Sequence, residues 1–100
     1  MMDETFTFVS TCGRFEFTVK KAFAKRVSVA DYDVYDLMTK YNMAEHLHNP
    51  RGPAIVHLGT DYKEAWMDGK QLSKEESEKF FHGLEFYNRV ITDIIGEENE

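Results

Sequence analysis

"TFTFVSTCGRFEFTVK", residues 5–20, holds two alternating runs on either side of a glycine-containing turn. In TFTFVS (5–10), Phe6 and Phe8 fall on one face; in RFEFTVK (14–20), Phe15, Phe17 and Val19 do the same. Period two with apolar residues on one side is the pattern of a half-buried strand. Thr11-Cys12-Gly13 supplies the reversal, so the pair reads as a β-hairpin. A bulge would let the second run continue through Phe23, Val27 and Val29.

Beyond this hairpin the period changes. Residues 28–47, SVADYDVYDLMTKYNMAEHL, place Val34, Leu37, Met38 and Tyr41 at helical steps. Ser28 with Asp31 is a plausible N-cap and first-turn acid, and Asn49-Pro50 ends the segment. Residues 53–58 and 63–68 then read as a second hairpin turning at Gly59-Thr60-Asp61, followed by a tight turn at Asp68-Gly69. Ser73-Lys74-Glu75-Glu76 is a capping box. Phe80, Leu84, Tyr87, Ile91 and Ile94/Ile95 continue from it as one long amphipathic helix, closed by Gly96 and followed by an acidic tail, 96–100. The expected fold is α+β in ββαββα order. About four antiparallel strands would carry two helices on one face, in a single domain over 1–100.

Hydrophobic residues make up 42% of the chain and aromatic residues 14%, eight of them Phe, which fits a folded aromatic core. A single cysteine, Cys12, excludes an internal disulfide and makes a reducing cytoplasm the simplest home. No apolar run approaches the roughly 18–20 residues of a membrane span. The first residues lack the basic and apolar regions of a secretory leader. The net charge is −6, which opposes nucleic-acid binding overall.

Residues 49–72 carry the most specific local signal. Gly52, Pro53, Ala54, Ile55, Val56, Gly59, Trp66, Gly69 and Lys70 follow a Gly-Pro-Ala-apolar, turn, Trp-x-x-Gly-Lys pattern. The stretch resembles a hairpin unit of small uncharacterised bacteriophage and bacterial proteins. That unit usually occurs in tandem with an acid before Gly-Pro-Ala; here there is one copy, and Arg51 stands at that place. The resemblance implies a hairpin and a phage origin, and no chemistry.

Four constellations bear on function. His46, His48 and His57 are the residue types a zinc site would need, without a matching spacing or a cysteine pair; no metal or cofactor is expected. Cys12 lacks a legible activating base, and no catalytic set is present, so an enzyme is not expected. Lys20, Lys21, Lys25 and Arg26 around Phe23 could hold phosphates while the ring stacks on a base. That makes nucleic-acid binding the alternative function. The leading candidate is the outer side of helix 28–47, where Tyr32, Tyr35, Asp36, Thr39 and Met43 recur at steps of three and four, ringed by Asp31 and Asp33. Tyr and Met favour interfaces, and the acids suit a basic partner. Trp66 could add to the contact. The sequence thus reads as an acidic protein-binding module. Its expected role is that of a phage accessory protein occluding a host protein in the cytoplasm. Homodimerisation and imitation of DNA charge stay open.

Overall fold

The computed structural model describes residues 4–84. Strands β1 (Thr5–Val9), β2 (Phe15–Lys20), β3 (Ile55–His57) and β4 (Lys63–Glu64) form one antiparallel sheet in chain order. Strands β5 (Trp66–Met67) and β6 (Lys70–Gln71) make a separate two-stranded ribbon. The alternation of the first hairpin sets the register. Phe6 lies opposite Val19 and Phe8 opposite Phe17, while Phe17 also faces Ile55 across β2 and β3. Directly opposed residues point the same way, so these apolar side chains gather on one face.

That face is covered by short helical segments rather than by one long helix. Helix α1 (Lys21–Arg26) and helix α2 (Val34–Thr39) alternate with 3₁₀ turns at Val29–Asp31 and Met43–His46. Phe23, Val29, Leu37 and Met43 come one from each segment, and with Leu47 just after the last they join Phe8, Phe17, Val19, Ala54 and Ile55 in a single core cluster. Burying a side chain the size of Phe23 or Leu37 contributes about 1.5–3 kcal/mol.

The structure corrects the expected element order in three places. Residues 21–26 are helical, so β2 does not continue past a bulge. Lys, Ala and Arg are strong helix formers, and Lys25 and Arg26 lie in the last turn, where the helix dipole favours cations. Second, the stretch 28–47 is broken. Asp33, not Ser28, caps α2, accepting the Asp36 amide at 2.8 Å. Ser28 makes no side-chain cap bond, and Asn42 takes a left-handed φ of 51° that ends the helical path. Third, the second hairpin stops at Glu64. The buried Ala65 separates β4 from β5, and Asp68 and Gly69, with φ of 51° and 79°, form the reversal of the β5–β6 ribbon. Two consecutive positive φ values are what a type I′ hairpin turn requires.

The capping box is formed as read. The Ser73 amide donates to Glu76 Oε1 at 3.0 Å, and the Glu76 amide donates to Ser73 Oγ at 3.1 Å. Residues 74–84 are helical behind it (α3). Phe81 of α3 lies under the Lys63 ammonium, 4.3 Å from the ring centre. The remainder of the expected C-terminal stripe, from Tyr87 to Ile95, and the tail 96–100 lie outside the described residues. No described helix is long and apolar enough to cross a membrane.

Candidate partner-binding surface

Helix α2 holds the leading candidates, and the fold divides them. Leu37 points into the core with no exposed surface, whereas Tyr35 is 72% exposed on the other side. The Thr39 hydroxyl donates to the Tyr35 carbonyl at 2.7 Å, which seals the solvent side of the last turn. Asp31 and Asp33 are exposed beside it. Asp36 is half-buried and pairs with Lys40 one turn later at 3.7 Å.

Two members of the expected patch turn inward. Met43 is fully buried, because the left-handed Asn42 redirects the chain before the helical spacing reaches residue 43. Tyr32 is half-buried against the core, its ring 5.0 Å from that of Tyr41. The hydrogen bond that the Tyr41 hydroxyl donates to Tyr32 holds its pKa above the ordinary value, with desolvation adding to the effect. The outward patch therefore consists of Tyr35 and Thr39 with Asp31, Asp33 and the edge of Asp36.

Trp66 is a partly buried member of its hairpin. Its Nε1 donates to Glu64 Oε1 at 2.9 Å, and its carbonyl accepts the Asn49 amide. Tyr62 donates its hydroxyl to the other oxygen of Glu64, and that carboxylate raises the phenol pKa. Both aromatic polar tips are thereby committed to the Glu64 carboxylate of β4. Packing of Trp66 against the core cluster places it with the structural residues rather than with an exposed anchor.

The basic strip is dispersed. Phe23 is 1% exposed, so its ring cannot stack on a base as expected. Lys20 pairs with Asp68 at 2.7 Å and Lys21 with Glu4 at 3.1 Å. The Arg26 guanidinium lies over the Phe23 ring at 5.9 Å. Lys21 and Lys25, one helical turn apart, instead border an apolar cavity of about 360 Å³ floored by Phe6, Ala24, Val29 and Ala30, with Asp31 on its rim.

The histidines part as well. His46 stacks on Phe23 at 4.4 Å and 16°, and burial, then the nearby Arg26, lower its pKa below 6.5 against the opposing pull of Glu45. His48 is buried and accepts the Asp68 amide on Nδ1 at 3.0 Å. His57 stacks on Phe15 at 4.9 Å. Each ring thus has a different neighbour, and no group of three or more potential metal ligands occurs among the described residues. Exposed Cys12 sits 3.2 Å from Ser10 Oγ, whose hydrogen bond is the main influence lowering the thiol pKa.

One feature escaped sequence reasoning. Among the described residues strand β1 ends the sheet, and Phe6 and Val9 upon it are 42% and 47% exposed. The available signal was that TFTFV carries no charge at all. Compared with known proteins, the chain matches no family model, no curated protein and no solved structure.

Proposed function

We propose that this chain is a small protein-binding module that acts by covering a surface of a partner protein, with Tyr35 as its anchor. The observation that carries the reading is the division of α2. A six-residue helix with an N-cap bond and a fully buried Leu37 holds a 72% exposed tyrosine outward. A ring presented from a fixed backbone contributes contact area at low entropic cost, and Tyr is enriched among the residues that dominate interface energies. Thr39 follows one turn on, bonded to the Tyr35 carbonyl, and Asp31 and Asp33 give the surroundings negative charge. That charge suits a basic partner surface and raises the association rate. The role of a phage accessory protein acting on a host protein rests on the hairpin resemblance of residues 52–70.

The nucleic-acid reading loses its stacking residue with Phe23 buried and has two of its lysines engaged in ion pairs. The two readings separate on salt and charge. Immobilised protein should capture a host protein, and Tyr35→Ala should release it. A nucleic-acid binder would instead lose affinity steeply with salt and fail on Lys25→Glu.

A further inference from the structure

We infer that strand β1 is a self-pairing edge, and that two copies of this chain join through it into one continuous antiparallel sheet. The argument begins with the backbone. Ser10 donates its amide to Phe15 O at 2.8 Å, and Lys21 donates to Glu4 O at 2.9 Å. Because bonded and non-bonded pairs alternate along an antiparallel ladder, Glu4, Phe6, Phe8 and Ser10 turn their peptide groups toward β2. Thr5, Thr7 and Val9 therefore turn three N–H and three C=O groups away from it, at the free edge of the described sheet.

These three positions are symmetric about Thr7. A two-fold axis through Thr7 sets Thr5 against Val9 of the other copy, Thr7 against Thr7, and Val9 against Thr5. Each pair exchanges two N–H···O bonds, so every outward group is satisfied and none is left over. The same operation places Phe6 opposite the other copy's Phe8. The two Phe6 rings then become diagonal neighbours on one face, roughly 7–8 Å apart at the backbone and within aromatic reach. That contact shields Phe6, 42% exposed in the single chain, while on the opposite face Val9, 47% exposed, gains the other copy's Thr5 as its cross-strand neighbour.

The rest of the molecule agrees. An exposed edge is ordinarily blunted by charge or brevity, and the opposite edge shows both devices. Strand β4 is two residues long, Lys63 and Glu64, each charged. Strand β1 is five residues long and has neither protection. One sticky edge and one blunted edge make pairing stop at two copies. The rim of the cavity beside Phe6 carries Lys21, Lys25 and Asp31, with Glu4 adjoining through its ion pair to Lys21. A rim of both signs is compatible with a two-fold contact, which sets one patch against itself.

The test is the mass of the full chain by analytical ultracentrifugation from micromolar to millimolar concentration, with amide exchange on the same samples. Two variants carry it. Thr7→Pro removes an outward N–H while leaving the bonds to β2 in place, and Val9→Lys installs the missing charge. The expected result is a concentration-dependent doubling of mass in the parent protein, with the Thr7 and Val9 amides slowed at least tenfold as the dimer forms. Both variants should remain single chains with the parent's circular dichroism. A parent that stays monomeric at millimolar concentration overturns the inference. So does a dimer that survives in a folded Val9→Lys variant, or one in which the Thr7 amide exchanges as fast as in the monomer.

Discussion

The backbone amide of Asp68 donates to Nδ1 of His48 at 3.0 Å, across twenty positions of chain. Beside it, the Gly69 amide donates to the Leu47 carbonyl at 2.9 Å, and the Asn49 amide to the Trp66 carbonyl at 3.1 Å. These three bonds fasten the β5–β6 ribbon to the segment that leaves α2, so the separate ribbon and the main sheet share one core. They predict that His48→Phe costs about 1–3 kcal/mol, the penalty of taking the acceptor from the part-buried amide of Asp68. His48→Gln, which keeps an acceptor, should recover part of it. Urea unfolding followed by Trp66 fluorescence measures both.

Gly69 is the most constrained of the described glycines. Its φ is 79°, and a Cβ there would overlap the backbone carbonyl of Glu45. Because the obstacle is backbone, no rotamer change relieves it. Gly69→Ala should destabilise the protein by more than the His48→Phe change, and more than the roughly 1 kcal/mol that a left-handed alanine costs alone. Gly13 and Gly59 also have positive φ but meet nothing within 4 Å, so alanine at either should cost only that backbone term. Thermal melts of the three variants rank them.

Stability should fall on mild acidification through His46. Its folded-state pKa lies below 6.5, chiefly through burial and then through Arg26. The unfolded chain therefore binds the proton more readily than the folded one. This contribution is complete above pH 6.5 and is lost as pH drops from there toward the folded pKa. A His46→Phe variant keeps the stack on Phe23 and should show a flatter dependence across that window. Denaturant midpoints at stepped pH measure it, and a parallel slope in both proteins would remove His46 as the cause.

Cys12 should react faster than an ordinary exposed thiol. Ser10 Oγ accepts the Phe15 amide at 3.2 Å, which leaves its own proton free to donate to the sulfur. The thiolate is stabilised and its pKa lowered from 9.0. Ser10→Ala should raise that pKa and slow alkylation at neutral pH, with the maximal rate at high pH unchanged. A rate–pH profile with iodoacetamide reports both quantities.

Much of the framework was legible because its signals are local. Alternation in residues 5–20 gave the hairpin and its buried face, Asp68-Gly69 gave a turn that needs two positive φ values, and Ser73 with Glu76 gave the capping box. The helical layer was less legible. Spacing from Val34 to Tyr41 marked the inward face of α2 correctly, but periodicity carries no information on where a helix stops. Asp33 three residues before Asp36, and Asn42 with its tolerance for left-handed backbone, were the signals that bound it. Without them, the helical period places Met43 outward, beyond the point where that period applies. At Phe23 the basic neighbours suggest phosphate contacts, while the helix they form turns the ring inward. The open edge of β1 was hidden for a different reason, since strand order is a property of pairing across the chain and not of any one strand.

The claim on which the functional account depends is that Tyr35 serves contact rather than folding. The direct measurement is the dissociation constant of the captured partner for the parent protein and for Tyr35→Ala, alongside the unfolding midpoint of each. A midpoint unchanged within error and an affinity lowered at least tenfold, about 1.4 kcal/mol, is the predicted result. Equal affinity for the two proteins would contradict it, as would a Tyr35→Ala chain whose lost binding tracks lost stability.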